Sequence, residues 1–394
     1  MKRYIILIAS LVAMSAVAQS PIESILQSVA SNNNSIKATQ QDVSAAQTEL
    51  SADNCLENTS FEFEYLWAEK QVPGGNKYGF SIMQGFDFPT VYGQRRKLIN
   101  AQNAFGTSQI NYVRQSVLLD ARNLYIKIVY LNKQIELVAE REAIARKLTE
   151  MYKTRLEAGD ADRLEVNKVE INRLSQSSQL KMLINERNAA IADLVACNGG
   201  IALPINATTL AQYPMMEMPT SLDEVTAQWK EADASINMIR KQQQVAESFS
   251  AVSKEGWIPK FEVGYKQAYE VGDMFYGLAV GISLPLFKTS NEVKTAQARA
   301  LSLSLQSDAA NAELTAEVSQ LYNEATSLNE ALEDYTLLTE QNNRELLLKA
   351  LEAGQISLLE YMSDIAQLNE AEENRLLLEY QYYLALSNLN RNNL

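Results

Sequence analysis

Histidine is absent from all 394 residues. That removes Ser-His-Asp and Cys-His catalysis and the commonest zinc ligand. Cysteine is almost absent: Cys55 and Cys197 stand alone, each near the end of an expected helix. The topology inferred below puts them at different heights, so they are read as free or buried thiols, not a disulfide. There is no Gly-rich phosphate loop and no metal-ligand cluster, and the carboxylates are scattered as on solvated helix faces. The chain is therefore read as a non-enzyme, without cofactor or resident metal. Positive charge is also short. The 35 Lys and Arg fall to 33 once Lys2 and Arg3 are set aside, against 48 Asp and Glu. An acidic chain without clustered Lys and Arg is a poor partner for nucleic acid. No stretch is apolar enough for a transmembrane helix.

The first residues read as an export signal occupying 1–18. Lys2 and Arg3 are a basic start, Tyr4 to Val12 a short apolar core, and Ala16-Val17-Ala18 a small-x-small cleavage site that leaves Gln19 first. No Cys stands at the cleavage point, which argues against a lipoprotein. An exported chain without a spanning helix is periplasmic, secreted, or an outer-membrane β-barrel, and barrel strands must be sought by alternation.

What the chain does contain is a repeat. Phe61-Glu62-Phe63-Glu64-Tyr65 matches Phe261-Glu262-Val263-Gly264-Tyr265, and Phe88-Pro89 matches Leu284-Pro285. Ala101-Gln102 matches Ala296-Gln297, Leu156-Glu157-Ala158-Gly159 matches Leu351-Glu352-Ala353-Gly354, and Leu164-Glu165 matches Leu359-Glu360. From Ala101 to Glu165 the offset stays at 195, so the length of this segment is set by geometry. Repeat 1 is 19–200, with strand pair 60–89 and helical hairpin 90–198 whose tip is near 159. Residues 201–220 form an equatorial linker kept irregular by Pro204, Pro214 and Pro219. Repeat 2 is 221–394, with strand pair 258–285 and hairpin 287–390 whose tip is near 354.

Each repeat opens on a helix. Pro21 to Asn54 is the first, capped by Ser20, with the cluster Ser31 to Ser35 able to interrupt it; Ser221 caps the second, which runs to about Lys254. The strands then alternate. Phe61, Phe63, Tyr65 and Trp67 oppose Glu62 and Glu64; after a Pro73-Gly74-Gly75-Asn76 turn, Tyr78, Phe80 and Ile82 oppose Gly79, Ser81 and Met83. In the second pair Phe261, Val263, Tyr265 and Tyr269 oppose Lys260, Glu262, Gly264 and Lys266. Beyond a turn near Gly272-Asp273, Tyr276, Leu278, Val280, Ile282 and Leu284 oppose Gly277, Ala279, Gly281 and Ser283. Each strand is about ten residues long, enough to cross a membrane when tilted, and its apolar face has the aromatic residues of an interfacial girdle. A small soluble sheet packed on helices would not put charge and glycine on the opposite face.

Pro89 and Pro285 mark the bend into long helices. Gln94 to Glu157 contains no proline and only Gly106; Lys288 to Ala353 contains neither proline nor glycine. A continuous helix of about 65 residues is about 98 Å long. Val117, Ala121, Leu124, Ile128, Leu131, Ile135 and Val138 step by four and three, as do Leu314, Val318, Leu321, Ala325, Leu328, Leu332 and Tyr335, two residues out of step with the first set. Both are coiled-coil seams. Gly159 and Gly354 end these helices, Asp160 and Ser357 suit the caps of the returning ones, Asp160 to Cys197 and Gln355 to Asn390, and such short turns make antiparallel hairpins.

Four membrane-length strands cannot close a barrel, and lipid tolerates no open edges. The chain must borrow strands from copies of itself: a dimer supplies eight, a trimer twelve with a water-sized lumen. Long hairpins below such a barrel would continue as a tube.

In this order, the tandem repeat, Gly-Ile-Ser-Leu-Pro-Leu-Phe at 281–287, the two Leu-Glu-Ala-Gly turns, and Ala30-Ser31-Asn32-Asn33-Asn34-Ser35-Ile36 make the chain resemble the TolC family of outer-membrane efflux proteins over essentially its whole mature length. Ser35 stands where that family commonly has proline. The resemblance implies a mainly α fold with a small β part: a homotrimeric 12-stranded outer-membrane barrel, four strands per chain, continued by an antiparallel coiled-coil tunnel in the periplasm. It implies a passive conduit of a tripartite efflux or type I secretion system, seated in outer-membrane lipid. A periplasmic adaptor would dock on the tips, and an inner-membrane pump of RND or ABC type would act indirectly. Tip candidates are Ala158, Gly159, Asp160, Leu164, Ala353, Gly354, Ser357 and Leu358. The family's acidic periplasmic aperture maps to Glu360 and to Ser363, a departure, with Asp364 beside it. The competing reading is a structural or adhesive coiled-coil envelope protein, which has no need of two aromatic hairpins.

Overall fold

The computed structural model describes residues 20–52, 54–69, 75–285, 289–335 and 343–394. The signal segment, Pro73-Gly74 of the first turn, Phe287 and Lys288 at the entry to the second long helix, and 336–342 within it lie outside the described residues. Helices α1 (Pro21–Asn32) and α2 (Asn34–Ala52) precede β1 (Ser60–Leu66) and β2 (Lys77–Phe86). Then come α3 (Pro89–Ala158) and α4 (Arg163–Cys197). The second repeat holds α5 (Leu222–Ala232), α6 (Ala234–Glu255), β3 (Lys260–Glu270), β4 (Asp273–Ser283), α7 (Thr289–Asp334), α8 (Asn343–Glu352) and α9 (Leu358–Leu389). No described helix is long and apolar enough to cross a membrane.

The first entry helix breaks at Asn33, within the polar cluster, where the backbone turns extended (φ −58°, ψ 129°). The second entry helix, expected to run unbroken to Lys254, breaks at Asp233 with almost the same angles (φ −61°, ψ 128°). Its carboxylate accepts from the backbone N–H of Ser235 (3.0 Å) and Ile236 (3.2 Å), so it starts a new helix instead of continuing the old one.

α3 is one helix of 70 residues, opened by Pro89 at its first position. Its seam buries Ala121, Ile128, Leu131 and Val138, but Tyr125, Ile126 and Val129 are buried as well, so its apolar face is wider than a two-helix seam. α7 buries Leu314, Val318 and Ala325 of its seam. It ends at Asp334, where the Tyr335 N–H turns back to the Leu332 carbonyl (3.1 Å), and the next described residues begin α8 at Asn343.

The four strands form one antiparallel sheet in the order β1-β2-β3-β4. The two hairpins, almost 200 residues apart in sequence, are joined by β2–β3 pairing from Tyr78↔Tyr269 to Phe86↔Phe261. β1 has seven residues, shorter than the expected ten, while β2 has 10 and β3 and β4 have 11 each. β3 and β4 are joined through Val271 and Gly272, both at positive φ (56° and 89°), the backbone of a tight two-residue hairpin.

The chain divides into two compact units that cut across the repeats. One gathers the residues up to Asn33 with Val117–Glu217 and Glu324–Asn388; the other gathers Asn34–Ser116, Met218–Asn323 and Leu389–Leu394. In the first unit the linker is strapped to the helices. The Asn132 side chain donates to the carbonyls of Ala207 (3.1 Å) and Leu210 (2.8 Å), and Tyr213 stacks on Tyr383 at 4.2 Å. Burial pushes the Tyr213 hydroxyl far above its ordinary value. The second unit has its core around Trp229, with Val225, Ile236, Leu314 and Val318. Cys55 and Cys197 are free thiols, and burial raises the Cys197 thiol.

Candidate functional site

Two regions stand out, one in each unit. The first is the sheet. Its register puts every alternate side chain of all four strands on one side. The cross-strand rows run Tyr65–Tyr78–Tyr269–Met274, Phe63–Phe80–Gln267–Tyr276, Phe61–Ile82–Tyr265–Leu278 and Phe86–Phe261–Ile282. Rings stack between strands: Tyr78 on Tyr269 at 4.9 Å, and Phe86 on Phe261 at 6.0 Å. Tyrosines and Trp67 gather at the hairpin-turn end and Phe86, Phe88 and Phe261 at the helix end, with Phe61, Phe63, Phe80 and Tyr265 among aliphatic residues between. None of the described residues covers this face. Leu278 is 86% exposed, Tyr276 77% and Val280 75%. In water each such side chain forgoes about 1.5–3 kcal/mol of burial, and a patch this continuous marks a contact surface.

Apart from Leu66, Met83 and Phe275, the opposite side is polar or small: Glu62, Glu64, Ser81, Glu262, Lys266, Gly79, Gly277, Ala279 and Gly281. Two ion pairs cross it, Lys77 with Glu270 and Lys260 with Glu57. At the strand-to-helix bend Asp87 is held by Arg95 (2.7 Å). Among the described residues β1 and β4 are free edges. A sheet apolar outside, polar inside and open at both edges is part of a barrel wall.

The second region is the pair of hairpin tips. Both end the same way: the N–H of Asp160 reaches the Arg155 carbonyl (2.8 Å) and the N–H of Gln355 reaches that of Ala350 (2.9 Å). Gly159 (φ 82°) and Gly354 (φ 69°) supply the left-handed residue such turns require. The cap of α4 is Asp162, not Asp160. Its carboxylate accepts from the Glu165 N–H (2.7 Å), and the Glu165 carboxylate accepts from the Asp162 N–H (2.9 Å). Ser357 and Glu360 make the same reciprocal box, at 3.2 and 2.8 Å. Hydrogen bonds from the Ser357 backbone first and its hydroxyl second hold the Glu360 carboxyl below its ordinary value.

All four tip helices share one core of Leu148, Tyr152, Val166, Val169, Leu351, Leu358, Tyr361 and Ile365. Above it, Glu372 is shared by Arg141 (3.1 Å) and Arg344, whose side chains are 3% and 9% exposed; this ties α3 to α8 and α9. Ala158, Gly159, Asp160, Leu164, Ala353, Gly354 and Ser357 are exposed as a docking surface requires. Leu358 is not: it is 5% exposed and belongs to the core. The outward leucine is Leu359, 67% exposed, matching Leu164 at 69%. The 195-residue offset pairs Leu164 with Leu359, and that was the signal for it. Ser363 and Asp364 are exposed, and Asp364 borders an apolar groove lined by Leu346, Leu347, Ala350, Ile356 and Leu368.

No family model and no curated protein matches the sequence. Solved structures are similar over almost the whole chain. A membrane protein from Pseudomonas aeruginosa has a TM-score of 0.79 at 14% identity, covering 95% of this chain and 90% of that one. The transmembrane channel CusC scores 0.74 at 14% identity, covering 94% and 91%. The CmeC outer membrane channel of Campylobacter jejuni scores 0.72 at 11% identity, covering 95% and 85%. At these identities the likeness is one of fold.

Proposed function

We propose that this chain, whose fold is that of the TolC-family outer-membrane channels, is itself an outer-membrane channel, a passive duct from periplasm to outside. The observation that carries the reading is the uncovered aromatic face on a four-stranded sheet with two free edges. Three copies joined edge to edge close twelve strands, bury every edge, turn the apolar face to lipid and leave a water-sized lumen lined by the polar face. A stalk or adhesin has no use for that face.

The finer reading is a component of a tripartite efflux or type I secretion system, driven indirectly by an inner-membrane RND or ABC pump. A periplasmic adaptor docks at Ala158, Gly159, Asp160, Leu164, Ala353, Gly354, Ser357 and, in place of Leu358, Leu359. The absence of bulk at the two glycines lets a partner's helical hairpin approach the backbone. Glu360, Ser363 and Asp364 of the second hairpin narrow the periplasmic entrance, where threefold repetition concentrates negative charge and attracts cations.

Outer-membrane fractionation, detergent-resistant trimers and planar-bilayer conductance test the duct. A chain that is monomeric and soluble without detergent overturns it. Cysteine crosslinking from Leu164 and Leu359 tests the docking, and divalent block of a Glu360→Gln, Asp364→Asn channel, expected to weaken, tests the entrance.

A further inference from the structure

Besides Met83, which lies over Gly264, the polar face of the sheet carries two apolar side chains toward its hairpin-turn end. Phe275 of β4 and Leu66 of β1 lie on the same side as Glu62, Glu64 and Lys266, and they are 57% and 50% exposed. They lie at the hairpin-turn end, Phe275 in the row Glu64–Gly79–Ala268–Phe275 and Leu66 beside Lys77, which is ion-paired to Glu270 opposite Asp273. The neighbours of Phe275 in its row are small, so its ring stands proud of the wall. The surrounding charge is acidic. With Lys77 paired to Glu270, the described residues leave Glu62, Glu64, Glu262 and Asp273 without an ion-pair partner on this face, against Lys266 alone.

We propose that Phe275 and Leu66 form an apolar collar at the outer mouth of the lumen which, with Glu62 and Glu64, receives aromatic cations as they leave. The proposal rests on the channel reading above. Both residues sit on edge strands, so each seam between two copies carries one of each, and the threefold axis sets three Phe275 rings at one level. An aromatic face attracts a cation through its quadrupole, the carboxylates exclude anions, and the apolar collar favours a cargo with its own rings over a hydrated inorganic ion.

The test uses the channel in a planar bilayer, with blockers added on the hairpin-turn side. Tetraphenylphosphonium should block at a lower concentration than tetramethylammonium, which lacks rings, and than naphthalenesulfonate, which has the opposite charge. Phe275→Ala should raise the half-blocking concentration of tetraphenylphosphonium about two- to fivefold, with Phe275→Leu in between, while salt conductance is retained. Glu62→Gln with Glu64→Gln should erase the preference over naphthalenesulfonate. Equal block of the parent and Phe275→Ala channels overturns the collar and leaves the duct standing. If the parent protein conducts no current, the duct falls and the collar with it.

Discussion

At Asn33 and at Asp233 the entry helix of each repeat breaks with nearly the same backbone angles, yet the two breaks are filled by different chemistry. The first is neutral. The Asn33 amide donates to the Cys197 carbonyl (2.8 Å), and the fully buried Asn198 accepts from the Ser28 hydroxyl (2.8 Å) and the Asn32 amide (3.3 Å). The second is ionic. Asp233, 1% exposed, pairs with Arg391 (2.8 Å), which also meets Glu317 (2.7 Å) and lies 3.9 Å over the Trp229 ring. Trp229 in turn donates to the Leu389 carbonyl (3.0 Å). Both arrangements clamp the end of a returning helix to an entry helix. An amide network tolerates the loss of one member as a lost hydrogen bond; a buried ion pair leaves an uncompensated charge.

The largest effect is expected at the ionic joint. Arg391→Ala strands Asp233 and should cost about 3–5 kcal/mol, read as an earlier denaturant midpoint by tryptophan fluorescence. Adding Asp233→Asn should restore most of it, because an asparagine still caps α6 and the joint becomes neutral like the first. If the double variant is as weak as the single, the charge is not what distinguishes the joints. Next comes Gly199→Ala. Gly199 has φ +69°, and a Cβ there would lie 2.5 Å from the Asn32 carbonyl oxygen. Strain and clash together should cost about 1–3 kcal/mol, more than Gly200→Ala (φ +79°), which has nothing within 4 Å to meet. Asn33→Ala follows at about 1 kcal/mol, well short of Arg391→Ala in the same assay.

The smallest effect concerns the tips, where the repeats agree instead of differing. Glu360 has a folded-state pKa below its ordinary 4.5, so its share of the cap is present at neutral pH and is lost as pH falls through that lowered value. Amide exchange at Ser357 should therefore speed up in acid relative to a Glu360→Gln variant, whose cap does not titrate. Equal pH profiles for the two proteins would show that the carboxylate does not hold the tip.

Much of this was legible along the chain, for local reasons. A strand's period of two puts Phe61, Tyr78, Tyr265 and Leu278 on one side whatever they pack against, so the two-faced sheet followed from alternation alone. Gly159 and Gly354 marked the tips because a left-handed residue is needed there. What failed was choice among neighbours. Leu358 and Leu359 are chemically identical; only the meeting of four helices around Tyr152 and Tyr361 decides which one is buried. Asp160 and Asp162 are equally good caps, and the turn geometry selected the second. Nothing in Asp233 by itself announced a break, since Arg391 lies 158 residues away.

Composition, alternation and the 195-residue offset determined the parts: long helices in hairpins, amphipathic strands, no catalytic histidine, and a sheet that cannot close alone. These depend on backbone period and residue type, which act over a few residues. Tertiary structure decided how the parts combine: β2 joined to β3, hairpin tips sharing one core, one joint neutral and the other charged. Those outcomes turn on contacts between segments far apart in sequence, where burial and unpaired charge weigh more than local preference.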